Sequence, residues 1–504
     1  MEIKISLLVV FFAVMIAIGA YCRKHSTDIN GFLLGGRNVG PWLSAFSYGT
    51  SYFSAVIFVG YAGQFGWKYG LSATWVGMGN AFIGSLLAWL VLANRTRLMS
   101  SFLGSTTMPD FLGKRFDSLF IKVCASVVCF VFLIPYTASL YNGLSRIFTM
   151  AFGIDYAWCV IAMALITGLY VLLGGYMATA TNAFIQGIIM FVGIIAVIAA
   201  VLGENGGFTE AISSMANVPS DADSFTNGQF ATIFGPDKVN LLGVVLLTSL
   251  GTWGLPQMVS KFYAIKDMPA IKKGTIVSTV FAVVVAGGCY FLGGFGRLYD
   301  HVIDRAGDRV LFDSIIPAML ANLPDILVGI VVVLVLSASM STLSSLVLTS
   351  ASTITLDFIA PLRKADMDEK TKLSVMRVFI TVFIIISATI AIFQAKSTIT
   401  FIAQLMGISW GALAGAFLAP FVLSLYKKSI TKTAVIVNVL FAPCLMISNI
   451  LFGPHFPVLL RSPINCGVLA MLAGFLIVPI VSLLTAKPQG KSIDDIFECL
   501  LENK

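Results

Sequence analysis

Six hydroxyls crowd the middle of one apolar stretch, Val331 to Leu356 (VVVLVLSASMSTLSSLVLTSASTITL): Ser337, Ser339, Ser341, Thr342, Ser344 and Ser345. A helix that only packs needs few of them, although Ser and Thr can bond back to the carbonyl one turn earlier and small residues let helices approach closely. The chemistry such a set can do is ion coordination. Ser341 and Thr342, with the carbonyl of Ala338 one turn back, offer three oxygens to a small hard cation. Oxygen-only ligands suit Na⁺ by the same logic that governs Ca²⁺ and Mg²⁺, and no buried carboxylate is at hand to favour a divalent ion.

Those oxygens need a bundle to hold them at membrane depth. Of the 504 residues, 58% are hydrophobic and only 11% charged, far outside the soluble globular range. Windows of about 19 residues place thirteen spans near 4–22, 41–66, 73–94, 119–150, 157–177, 184–203, 241–263, 275–297, 324–356, 374–394, 399–425, 433–453 and 465–486. The expected fold class is an all-α polytopic membrane protein. The net charge of +8 is gathered in particular loops: Arg23, Lys24 and Arg37; Arg95, Arg97, Lys114 and Arg115; Lys266, Lys272 and Lys273; Arg363 and Lys364; Lys427 and Lys428. By the positive-inside rule this puts the N-terminus outside and the C-terminus in the cytoplasm of a cell membrane. It makes the lipid bilayer the partner and leaves nucleic acid out. The first span has no small-residue cleavage site and reads as uncleaved. The eight cysteines show no metal-like spacing.

Two spans are interrupted. Gly49, Thr50, Ser51 and Ser54 break the apolar run of span two (SAFSYGTSYFSAVIFVG), and Thr248, Ser249, Gly251, Thr252, Gly254 and Pro256 break span seven (LLTSLGTWGLPQ). Gly and Pro weaken the helical ladder, and freed backbone groups survive at membrane depth only where they are buried or line a cavity. Two breaks five spans apart are the sign of an inverted-repeat transporter. Repeat one would run over about 41–203 and repeat two over about 241–425, with flanking helices at 4–22, 433–453 and 465–486 and a short cytoplasmic tail at 487–504. In span four, Tyr136, Tyr141 and Asn142 fall on neighbouring faces, where polar groups point inward. An enzyme would need a convergent catalytic set, and the three histidines, His25, His301 and His455, lie in separate loops. A channel would need a continuous polar pore. No catalytic residue is assigned.

The run of motifs resembles the sodium:solute symporter family, which includes bacterial proline, pantothenate and sialic acid symporters and the sodium/glucose cotransporters. It comprises GGR at Gly35 to Arg37, the broken span two, Gly174 and Gly175 with Gln186, GxxGxP ending at Pro256, YAIKD ending at Asp267, LP at Pro324, and SASMSTLSS followed by Asp357. Motif order is closest to the proline and pantothenate branches. The resemblance implies a LeuT-like core of two inverted five-helix repeats. It also implies a sodium site built from the carbonyls of Thr50, Phe53 and Ala338 and the hydroxyls of Ser341 and Thr342. Tyr52, Ser54, Val56, Gln64, Tyr136, Asn142, Thr248, Thr252, Trp253 and Gln404 are the expected solute-lining residues. Asn182 and Ala183 stand where many members carry Thr-Asp, which favours one sodium per solute. Tyr52, Val56 and Thr248 stand where proline symporters tend to carry an Asp and Trp residues, which points away from proline.

The expected function is sodium-coupled import of a small organic solute by alternating access, with Na⁺ as the coupling ion. A carboxylate or amino-acid-like solute is favoured because a helix restarting near Ser54 or Gly254 exposes N–H groups and a positive dipole end. Proton coupling and a sugar or polyol solute are the alternatives on the same fold.

Overall fold

The computed structural model describes residues 2–23, 28–219, 228–363, 367–394, 402–486 and 491–501. Lys24, His25, Lys364, the first residues of the span expected from 399, part of the 204–240 loop and both ends of the tail lie outside them. In lipid an apolar chain can satisfy its backbone only as helix or closed barrel, and here it forms helices: α1 (Glu2–Cys22), α2 (Pro41–Tyr52), α3 (Ala62–Tyr69), α4 (Leu119–Phe152), α5 (Tyr156–Glu204), α6 (Lys238–Ser249), α7 (Pro256–Ala264), α8 (Met268–Ala282), α9 (Asp325–Thr353), α10 (Glu369–Gln394), α11 (Ile402–Tyr426), α12 (Lys432–Phe452) and α13 (Pro463–Leu484). Among the described residues, ten helical runs are long and apolar enough to cross a bilayer, or eleven when the bent pair α6 and α7 counts as one span. Two of these runs contain a break where the backbone leaves helical geometry, at Gly70 (φ +61°) within 56–102 and at Gly175 (φ +52°) within α5. Both positions need glycine for space as well as for φ: a Cβ would lie 2.2 Å from the Phe230 carbonyl oxygen at Gly70 and 2.7 Å from that of Phe32 at Gly175.

The runs carrying α9 and α11 form the centre, with 78% and 83% of their apolar windows buried, against 22% for α1 and 33% for α13. The outer helices are therefore cladding. α1 packs on α5 and α9, while α12 and α13 pack on α11. The two interrupted spans lie inside this layer, with α2 against α5, α8 and α9, and α4 crossing both α9 and α11.

One end of the molecule is tied by its basic loops. Val39 and Ile265 form a single parallel bridge, in which Val39 N donates to Ala264 O at 3.1 Å and Lys266 N to Val39 O at 3.2 Å. Beside it, the Arg37 guanidinium donates to Ser105 O (2.5 Å), Ser100 Oγ (3.2 Å), Ser100 O (3.4 Å) and Tyr263 O (3.4 Å). Burial pulls the Arg37 pKa down from its ordinary value, yet a guanidinium keeps its charge. Arg97 adds bonds to the carbonyls of Ile265 and Lys266. Arg37 at the end of the GGR turn is thus a plug of donors, met by oxygens of the 100–105 stretch and by a carbonyl near the end of α7.

Candidate cation and solute site

α2 stops at Tyr52 because Phe53 takes an extended backbone (φ −81°, ψ +120°), and helix resumes from Ala55 through a wide π-turn over Val56–Tyr61. The approach of other helices holds this break in shape. A Cβ on Gly49 would meet the Phe281 ring at 2.6 Å, and one on Gly143 of α4 would meet Ala55 O at 3.0 Å. With the ladder interrupted, the carbonyls of Thr50 and Phe53 turn to α9. Ser341 Oγ lies 3.0 Å from both Thr50 O and Ala338 O. Thr342 Oγ1 lies 3.1 Å from Thr50 O, 3.3 Å from Phe53 O and 3.1 Å from Ala338 O. All five residues are fully buried.

Two hydroxyl protons serve three carbonyls here, so acceptors outnumber donors. Oxygens bound at right angles to one cation at about 2.4 Å stand roughly 3.4 Å apart, close to the 3.0–3.3 Å observed. A few tenths of an ångström of opening would admit the ion. The set is neutral, and no group of three or more His, Cys, Asp or Glu able to hold a metal occurs among the described residues. A small monovalent cation is what this cluster fits. The C-terminal end of α2 adds its negative dipole.

Beside the break lies a second polar group set. Tyr136 of α4 packs edge-on against Trp410 of α11, with ring centroids 5.9 Å apart, and its hydroxyl is set beside Ser54. The hydroxyls of Tyr52 and Tyr290 both face Asn80. Ser54 Oγ, Tyr52 Oη, Tyr136 Oη, Tyr290 Oη, Trp410 Nε1 and Asn80 Nδ2 are all buried without a hydrogen-bond partner. These groups neighbour one another without bonds of good geometry, which makes the break a polar patch inside an apolar bundle.

The expected residues divide. Thr50, Phe53, Ala338, Ser341 and Thr342 come together, as do Tyr52, Ser54 and Tyr136 beside them. Val56 is buried just after the restart. Gln64 is further along, on α3, with its Oε1 unpartnered. Gln404 is half-buried at the start of α11, next to Ala403, whose carbonyl accepts from Tyr61 at 3.5 Å. Asn142 accepts from the Tyr156 hydroxyl. One turn beyond, a cavity of about 720 Å³ is lined by Arg146, Tyr156, Asp304 and Asp313. Burial pushes the Asp313 carboxyl up to about 6 there, against the opposing pull of Arg146. Thr248, Thr252 and Trp253 sit at the span-seven break with their donors occupied by Val244 O (2.8 Å), Ser249 O (2.8 Å) and Ile83 O (2.9 Å). Sequence reasoning missed Asn80, Tyr290 and Trp410, single polar residues in apolar spans, and Lys261, a charge inside span seven.

An all-helical membrane bundle with two interrupted spans around an interior of neutral oxygens is the build of a secondary transporter. Residues 32–441 match the description "Sodium:solute symporter family", and the chain belongs to that family. The osmoregulated proline transporter OpuE of Bacillus subtilis is 29% identical over 508 residues, covering 100% of this chain and 99% of its own. Sodium/proline symporter 2 of Staphylococcus saprophyticus is 29% identical over 447 residues, covering 86% of this chain and 83% of its own. A Na⁺-coupled sialic acid symporter, solved substrate-bound and outward-open, shares the fold with a TM-score of 0.77 over 97% of this chain and 99% of its own, at 19% identity. MhsT, solved with L-phenylalanine, gives 0.54 over 88% and 98%, at 13% identity. The protein is a multi-pass membrane symporter of a small organic solute with Na⁺ as coupling ion, and its relatives are transporters rather than enzymes.

Proposed function

We propose that this protein imports an amino-acid-like carboxylate together with one Na⁺, the ion binding at Thr50, Phe53, Ala338, Ser341 and Thr342. The five-oxygen cluster between α2 and α9 carries this reading. The solute lies beside the break, its carboxylate toward the N–H groups where helix restarts after Ser54, its polar atoms against Tyr52, Tyr136, Asn80, Tyr290 and Trp410. Because the cation bridges the two helices, it favours the arrangement that holds them together, and a ligand drives a conformational change only through such a difference in affinity. The reading also takes thirteen spans, with the N-terminus outside and the C-terminus in the cytoplasm of the cell membrane; the breaks at Gly70 and Gly175 support the count and the basic loops support the orientation. The two-repeat division, about 41–203 and about 241–425, draws support from the breaks themselves: Phe53 (φ −81°, ψ +120°) and Leu255 (φ −86°, ψ +121°) share one backbone conformation.

Proline is the first solute to try, since whole-length relatives are named for it, while Tyr52, Val56 and Thr248 make related amino acids the second set. The test is uptake into proteoliposomes under an imposed Na⁺ gradient, with the reversal potential read as the ratio of ion to solute. Uptake that collapses in K⁺ or choline, at one Na⁺ per solute, is the expected result. Uptake of only neutral sugars, or a ratio of two, would overturn the solute class or the stoichiometry respectively.

A further inference from the structure

Lys261, on α7, is 2% exposed, deep enough to be cut off from solvent. Its ammonium donates one hydrogen bond, to Ser345 Oγ at 3.0 Å, and stands over the Tyr176 ring at 5.0 Å from the centroid. Among the described residues no carboxylate lies within ion-pairing distance of it; the buried Asp357 further along the α9 run takes Thr107 at 2.5 Å and Lys122 at 3.5 Å instead. An aromatic face offsets only part of the cost of a buried charge, which is ordinarily met by a counter-ion. Two of the three ammonium N–H bonds have no acceptor, and the buried Tyr176 hydroxyl has Ser47 beside it but no hydrogen bond of good geometry. These groups line one cavity of about 20 Å³, shared with Ser345, Ser260 and Thr349. That is room for one water-sized species.

An amine with N–H bonds to spare beside a small cavity is matched by an acceptor-only ligand, whose negative charge would also hold the ammonium form. We propose that Lys261 and Tyr176, with Ser345 as the tether of the ammonium, form a binding site for a small monovalent anion, a halide or a small free carboxylate, separate from the solute's own carboxylate position. The site adjoins the cation cluster. Ser345 bonds Ser51 at 2.9 Å, Ser51 follows Thr50, and Ser345 stands one turn after Ser341. An anion there offsets the lysine's repulsion of Na⁺.

The test is thermal unfolding of the purified full-length protein in choline salts, with no Na⁺, so that the result does not depend on where the cation binds. Chloride and formate at about 100 mM are compared with isethionate, which is too large for the cavity. The wild type is expected to gain on the order of 1–3 °C in at least one of the two small anions through mass action on the folded state, and Lys261→Met to lose that gain. A gain with chloride alone assigns a halide site; a gain with formate, with or without chloride, assigns a carboxylate station. Equal melting in all three salts, as for a cavity that holds only water, or an equal gain in Lys261→Met, overturns the proposal. If Lys261→Met does not fold, Tyr176→Phe decides: it keeps the charge and removes one donor, so its gain must shrink.

Discussion

The breaks in spans two and seven share a backbone conformation and almost nothing else. At Phe53 the freed carbonyls look outward to hydroxyls on another helix, and of the polar side chains around them Thr50 and Ser51 are bonded while Tyr52, Ser54 and Tyr136 lack bonds of good geometry. At Leu255 the side chains that precede the break are satisfied within the protein, Thr252 Oγ1 donating to Ser249 O at 2.8 Å and Trp253 Nε1 to Ile83 O of span three at 2.9 Å, and a Cβ on Gly254 would lie 2.8 Å from Leu418 N, while Gln257 two residues on keeps both amide atoms buried without a partner. In the reading proposed above, the first break is a site, and the Thr252 and Trp253 side of the second acts as a joint. A kink earns no function by itself; what matters is whether its freed groups are satisfied within the protein or left for a ligand.

The sharpest way to break this comparison is to remove a hydroxyl from the open side. Ser341→Ala or Thr342→Ala should cost about 1.5–3 kcal/mol of ion binding, by analogy with hydrogen bonds to charged groups. That raises the Na⁺ concentration for half-maximal uptake by roughly ten- to hundredfold. Ser344→Ala is the control, since its hydroxyl bonds back to Ser341 O at 3.0 Å and faces Tyr170, away from the five oxygens. Equal Na⁺ dependence in all three variants and the wild type would mean the cation lies elsewhere.

A smaller effect belongs to the solute set. Tyr136→Phe removes one unpaired hydroxyl and should raise the solute KM by about two- to tenfold, the worth of one net hydrogen bond. Unchanged KM would assign that hydroxyl to packing. The smallest change is expected at the closed break. Thr252→Val loses a bond to its own turn, so unfolding should come about 1 kcal/mol easier, while KM and Na⁺ dependence stay within roughly twofold. A large KM change there would make the joint a second site and dissolve the contrast.

Much of this was legible in the chain. Hydroxyls in an apolar run are conspicuous, so Ser341 and Thr342 announce themselves, and Gly-Thr-Ser and Gly-x-x-Gly-x-Pro mark both breaks. Phe53 does not: it contributes a carbonyl, and a backbone oxygen has no signature in side-chain types, so only the family resemblance pointed to it. Asn80, Tyr290 and Trp410 are hidden for a different reason, because which face of a helix meets the break depends on helix rotation and tertiary approach. Lys261 had a signal, since charges within spans are costly and tend to be functional. It stands two residues from the expected end of span seven, where a lysine ordinarily snorkels to the interface, and the structure turns it inward. The break at Gly175 falls a few residues before the gap expected between spans five and six, because the apolar character continues through it.

The Val39–Ile265 bridge has a mechanical meaning. It joins the lead-in to one broken span with the exit from the other, and the Arg37 guanidinium rivets both to the 100–105 turn. While the bridge is intact, the two half-helices that begin and end there are linked and swing together. Motion at that end must carry both as one lever, pivoting where the chain is already bent, at Phe53 and Leu255.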